Sequence, residues 1–255
     1  MLWEMLNAAR DLGRVQDIAA ILIRYGFGSF VRLLGVGKAL ESAGKVLHWQ
    51  HAEEFTKLDT PQRVRHVLED LGPTFIKLGQ ILATRVDLFP PQYITEFEKL
   101  QDQVPPIPFD DLLPHIEEDI GGSIAEFFSD VDRQPLAAAS IAQVHKAILK
   151  DGTPVILKIR WPGLRKIIEA DLRLLQRIVD IAEAESPDIR RFHPKEVLRQ
   201  FNQSLRRELD LAGECRNAER VAANLADDPN IVILKVYWQW TGERINVQEY
   251  IEGIH

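Results

Sequence analysis

The sequence predicts an α+β fold: a helical N-terminal region followed by a small antiparallel sheet with a long helix beside it. Three observations carry this. Before about residue 130, apolar residues recur three and four apart, the helical period. From Leu136 onward two apolar β-type runs flank Asp151-Gly152, a hairpin signal because both central residues of a type I′ turn require positive φ. Ile231 to Trp240 and Glu243 to Ile251 form a second such pair around Thr241-Gly242, rich in β-branched and aromatic residues.

With 255 residues and 45% apolar content, the chain can bury one large core or two small ones. A net charge of −7 argues against a general nucleic-acid binder, whose affinity would rest on a basic face. An acidic chain can still bind a nucleotide through one local cation. Cys215 is the single cysteine, which excludes an internal disulfide framework and suits a reducing compartment. His48 and His51, three apart beside Trp49, read as a surface helix face rather than metal ligands. Glu4, Asn7, Arg10 and Asp11 interrupt any signal peptide, and the apolar run Ile18 to Ile23 is too short to span a bilayer.

Residues 1 to about 50 place Leu12, Val15, Ile18, Ala19 and Leu22 near helical spacing, with a slight excess of basic residues. Such a segment can lie on a membrane surface or dock on the domain. After Asp59, Thr60 can cap a helix with Pro61 in its first turn. Val64, Leu68, Leu71, Phe75, Leu78 and Leu82 then form one stripe, which Gly72-Pro73 should kink or split. Lys77 and Gln80 share a face away from that stripe. Short helices follow around Gln92 to Asp102 and Asp110 to Ile120, the second ended by Gly121-Gly122. The domain boundary is placed at about residue 130, giving a helical extension (1–130) and a β-containing domain (131–255).

Beyond the first hairpin, Ile168, Leu172, Leu175, Val179 and Ala182 predict a helix ending near Ser186-Pro187. Another runs from His193-Pro194 to about Leu225, with Phe201, Leu205, Ala212, Cys215 and Ala222 on its apolar side. Glu208 falls within that apolar stripe, where a carboxylate needs a partner. Glu214 points about a third of a turn away.

A small-residue loop (Ala137, Ala138, Ala139, Ser140), a hairpin and a strand lysine, Lys158, form the arrangement by which protein kinases hold ATP phosphates. An ordinary hairpin with a snorkelling lysine fits the same pattern. Lys77-Leu78-Gly79-Gln80, the Ala-rich loop continuing through Ile141-Ala142-Gln143-Val144-His145, Lys158 followed by Trp161-Pro162-Gly163, and Glu208-Leu209-Asp210 occur in that order. Together with Phe89-Pro90-Pro91 and Leu100-Gln101-Asp102, they resemble the UbiB (AarF/ADCK) family of atypical protein-kinase-like proteins over nearly the whole chain.

The resemblance implies a kinase-like N-lobe with a helical extension carrying the K-x-G-Q motif, in a family linked to ubiquinone (coenzyme Q) biosynthesis and membrane lipid homeostasis. Lys158 would hold ATP or ADP phosphates and Glu214 would pair with it. Lys77 and Gln80 would fold over the nucleotide, with Lys77 paired to Glu208, and Asp210 would complete an E-x-D signature. Ala137 to Ser140 would replace a glycine-rich loop, restricting its approach to the phosphates. The backbone of Glu249 to Ile251 would meet adenine.

Small-molecule or lipid acceptors, including an isoprenoid quinone precursor, would be favoured over proteins. The expected setting is cytoplasmic and peripheral to an inner membrane, among ubiquinone-biosynthesis proteins. Ile156 stands where kinases carry alanine, crowding the adenine side. The family's catalytic-loop Asp and Asn, its Mg²⁺-binding Asp, the C-lobe and the membrane-spanning helices would lie beyond His255. The chain alone is therefore expected to be inert. The rival expectations are a non-catalytic membrane- or partner-binding module, and a helical-plus-β domain whose lysine meets no nucleotide.

Overall fold

The computed structural model describes residues 2–33, 58–100, 105–185 and 187–253. His48, His51, Gln101, Asp102 and His255 lie outside them. The chain divides into two compact units: Met1–Asp102 with Lys166–Asn202, and Gln103–Arg165 with Gln203–His255. This division differs from a single boundary near residue 130. The chain leaves the first unit at about 102 and returns to it for one long helix and the start of another, a non-local pairing that a linear reading cannot supply.

The first unit is helical. It contains α1 (Leu2–Arg24), α2 (Gly28–Leu33), α3 (Thr60–Leu71), α4 (Pro73–Ala83), α5 (Pro91–Phe97), most of α8 (Leu164–Glu185), α9 (Pro187–Arg190) and the start of α10 (Pro194–Glu208). Gly72, at φ 90°, splits α3 from α4 as its Gly-Pro sequence predicts. The cap of α3 is Asp59 rather than Thr60: its carboxylate accepts from the Gln62 N–H at 2.9 Å, and Gln62 Oε1 accepts in return from the Asp59 N–H at 3.2 Å. Leu68, Leu71 and Phe75 of the predicted stripe are buried, and Val67, Thr74 and Ile76 join them. Ile18 and Ala19 of α1 are buried as well, and Ala19 packs with Val31. Leu12, Leu22 and Ile23 pack partly buried against that pair, so part of the apolar stripe of α1 is used inside this unit.

The second unit is the sheet domain. Its helix α6 (Phe109–Ile120) buries Phe109, Leu112, Ile116 and Ile120, spaced three, four and four apart, and ends at Gly121 in the left-handed region. A short α7 (Ile124–Phe127) leads into β1 (Phe128–Val131). Then come β2 (Ala137–Ala138), β3 (Ala142–Leu149), β4 (Pro154–Arg160) and, after α11 (Leu211–Asn224), β5 (Ile245–Glu249). The order is β1-β3-β4-β5, with β2 also paired to β3, and every pairing is antiparallel. Val155, Leu157 and Ile159 of β4 alternate inward with Ala147, Leu149, Ile245 and Val247 to meet α6, forming the core on one face. That leaves the opposite face for other work.

Three local expectations change. Asp151-Gly152 does make the β3–β4 hairpin, but Asp151 keeps negative φ and only Gly152 is positive, at 88°. Gly152 N–H donates to Leu149 O at 3.0 Å and Leu149 N–H to Thr153 O at 2.9 Å, so the loop is a three-residue turn closed by a left-handed glycine, not type I′. The Thr241-Gly242 hairpin is mostly one-sided. Ile245–Glu249 is a strand, whereas its predicted partner supplies only a bridge from Val236 to Gln248 and a 3₁₀ turn at Trp238–Trp240. Finally, the helix predicted from His193 to Leu225 is two, α10 and α11, broken at Leu209-Asp210. The break resets the helical phase, so Glu208 ends α10 instead of interrupting a continuous stripe.

Candidate nucleotide-binding face

Four strands place one residue each in a single row across the open sheet face: Ala137 opposite Val144, Val144 opposite Lys158, and Lys158 opposite Asn246. Directly opposed residues project to the same side, so the Ala-rich loop and the lysine share a face. Two residues along β4, Ile156 stands between Lys146 and Gln248 in the next row. This face is opposite the α6 core and is partly covered by α11, which packs on β5.

Lys158 Nζ donates to Glu214 Oε2 at 2.5 Å, an ion pair between β4 and α11. Both side chains keep partial solvent access. A wholly surface pair would contribute little to stability. The pair instead fixes the ammonium on the open face, with two further N–H donors to offer. The loop closes through an Ala139 N–H to Ala142 O bond of 2.9 Å, with Ser140 buried and Ala137 and Ala139 exposed.

The α10–α11 break is built to hold Glu214 in place. Asp210 Oδ1 accepts from the Gly213 N–H at 2.9 Å, capping α11, and its Oδ2 accepts from Arg216 Nη2 at 2.7 Å. A Cβ at Gly213 would lie 2.7 Å from Asp210 Oδ2, so this cap requires the glycine. Arg160, buried, donates to Leu209 O and, at 3.1 Å, to Glu243 Oε1. The Leu211 N–H bonds Glu243 O at 3.2 Å. Sequence reasoning missed Arg160; its signal was a second cation two residues after Lys158, on the same face of the strand. A polar recess lined by Ser204, Arg207, Glu208, Asp210, Gly213 and Glu214 lies at this break.

Glu249 ends β5, and its N–H donates to Lys235 O at 2.9 Å, while Tyr250 N–H donates to Pro154 O at 3.1 Å. Ile251 follows, exposed. Lys77 and Gln80 lie on α4 in the first unit, both half-buried, and Gln80 Nε2 donates to Leu100 O at 3.3 Å. Gly79 between them has a packing role: a Cβ there would collide with Leu100 and Leu68. Glu208, half-buried, belongs to the second unit, so its expected pairing with Lys77 joins residues of different units. Among the described residues no group of three or more His, Cys, Asp or Glu side chains is arranged to hold a metal ion. No helix among them is long and apolar enough to cross a membrane.

A five-stranded antiparallel sheet with a strand lysine bound to a helix glutamate defines the N-lobe of a protein-kinase-like fold. The comparisons agree. Residues 99–255 match the ABC1 atypical kinase-like domain. The chain is 38% identical over 251 residues to "Probable protein kinase UbiB" of Pseudomonas aeruginosa (strain LESB58), covering 98% of this chain and 46% of that protein. It is 42% identical over 199 residues to the protein of the same description from Pseudomonas putida, covering 78% of this chain and 37% of that one. Among solved structures it is similar to "The complex structure of Rv3197-erythromycin from Mycobacterium tuberculosis", with a TM-score of 0.50 and 27% identity, covering 86% of this chain and 51% of that one. The chain belongs to the UbiB family of ABC1 atypical kinase-like proteins. It spans about half the length of the curated relatives it matches.

Proposed function

We propose that this chain is the nucleotide-binding half of a UbiB-type atypical kinase or ATPase. The observation that carries the reading is the row Ala137, Val144, Lys158 and Asn246, with Lys158 held by Glu214 beside the Ala-rich loop. Bound ATP or ADP would set its phosphates against Lys158 and its base toward Ile156 and the Glu249–Ile251 backbone. Glu214 holds the ammonium in place, and the methyl groups of Ala137 to Ala139 limit how closely the loop follows the phosphates. Mg²⁺, when bound with the nucleotide, would neutralise phosphate charge. The catalytic base and metal-binding acids implied by the family resemblance are not among the motifs of these 255 residues. Phosphoryl transfer by this chain alone is therefore not expected.

Calorimetric titration with ATP and ADP, with and without Mg²⁺, tests the reading. Lys158→Ala should weaken binding at least tenfold, the loss of one charge-assisted phosphate contact. Equal binding by the variant, or Lys158-dependent ATP turnover by the isolated chain, would contradict it. The finer reading assigns the whole protein to ubiquinone biosynthesis or membrane lipid homeostasis, with a lipid or isoprenoid quinone precursor as acceptor at the inner face of a membrane. Co-sedimentation with anionic liposomes should retain the chain; full recovery in the supernatant would count against the membrane setting.

A further inference from the structure

Beyond the Lys158 row, β5 carries two carboxamides on the same face, Asn246 opposite Lys158 and Gln248 opposite Ile156. Asn246 has an unpartnered oxygen, and the Gln248 amide nitrogen has only a weak acceptor. Asn246 is 2% exposed and its Oδ1 has no hydrogen-bond partner. Gln248 Nε2 donates to Cys215 Sγ at 3.6 Å, and a thiol sulfur is a weak acceptor. Buried carboxamides are normally fully bonded, and those that are not point to a missing partner. Asn246 is enclosed, whereas Gln248 is half-buried and immediately precedes Glu249. Gln248 is therefore the one a ligand reaches.

The placement identifies the ligand edge. Gln248 lies two residues along the strand from the Lys158 row, about 6.6 Å at the usual rise per residue. A ligand with its phosphates at Lys158 extends its base past Ile156 toward Gln248. A carboxamide offers one donor and one acceptor side by side, which match the N7 acceptor and 6-amino donor of adenine. Guanine presents two acceptors at those positions, N7 and O6, and one of them would face the carboxamide oxygen. We infer that Gln248 is a specificity-determining residue that reads the N7 and 6-amino edge of adenine and discriminates against guanine. The inference rests on the nucleotide-binding reading and adds to it the choice of base.

The test measures ATP, GTP and 7-deaza-ATP binding to the full chain by calorimetry, using wild type, Gln248→Leu and Lys158→Ala. Wild type should prefer ATP to GTP by roughly tenfold or more and should lose a similar factor with 7-deaza-ATP, which lacks the N7 acceptor. Gln248→Leu should bring ATP and GTP to comparable affinity. Lys158→Ala should weaken both without changing their ratio. An unchanged ATP to GTP ratio in folded Gln248→Leu, or undiminished 7-deaza-ATP binding by wild type, overturns the inference while leaving nucleotide binding intact. The 7-deaza comparison needs no variant to fold. If wild type binds none of the three, the nucleotide reading itself fails and this inference falls with it.

Discussion

At the scale of single residues, His145 shows how a core polar group is fixed by its neighbours. Gln143 Oε1 accepts from the Ile107 N–H at 2.9 Å, which turns the Gln143 Nε2 donor toward both Ile107 O and His145 Nε2. His145 Nε2 must then accept, leaving the proton on Nδ1 to donate to Asp132 O at 2.8 Å. Burial pushes the imidazole pKa below its ordinary 6.5, an effect only partly opposed by the bond to Asp132. Protonation would set two donors against each other at Nε2. A group whose folded pKa is depressed contributes stability that is present above 6.5 and lost as pH falls toward the folded value. The urea midpoint of wild type should therefore fall between pH 7 and pH 5 more steeply than that of His145→Gln. Parallel pH profiles would contradict the assigned tautomer.

At the scale of elements, α1 is pinned by a buried ion pair as well as by its apolar stripe. Arg14 Nε donates to Asp171 Oδ1 at 2.7 Å and its Nη2 to Leu71 O at 2.6 Å, while Thr74 Oγ1 donates to Asp171 Oδ2 at 2.6 Å. These bonds tie α1 to the α3–α4 junction and to α8. Asp171 is fully buried, and burial raises its pKa against the opposing pull of Arg14 and Thr74. Removing one partner leaves a buried carboxylate without its counter-charge, which costs about 3–5 kcal/mol in comparable cases. Arg14→Ala should thus lower stability by about 3 kcal/mol or more, and Asp171→Asn, which removes the charge, by less. Urea unfolding measures both; a loss below about 1 kcal/mol for Arg14→Ala would mean that the pair is dispensable.

At the scale of the whole molecule, the family signature is divided between two units: Lys77 and Gln80 in one, Glu208, Asp210, Lys158 and Glu214 in the other. The family resemblance implies that Lys77 and Glu208 act together. A double-mutant cycle with Lys77→Ala and Glu208→Ala should then give a coupling energy of about 0.5–3 kcal/mol in urea unfolding of the chain. Additive effects would leave Glu208 as the polar end of α10 and Lys77 as a residue of α4 without functional linkage.

The sequence by itself determined the elements whose signals are local. Gly72-Pro73 splits a helix because proline cannot donate a backbone bond and glycine alone tolerates φ 90°. Gly121-Gly122 ended α6, and Asp151-Gly152 set the hairpin that presents Lys158. Lys158 and the Ala-rich loop were picked out through their motif order, and Glu214 through the family resemblance. Only the tertiary structure decided how residues far apart in the chain share a face. It aligned Ala137, Val144, Lys158 and Asn246 in one row through strand register, broke the predicted α10–α11 helix where Asp210 and Arg160 offer its backbone better partners, and brought Gln248 beside Cys215. The physical reason is that helix periods and turn propensities act over a few residues, whereas register and burial follow from which strands and helices pack together.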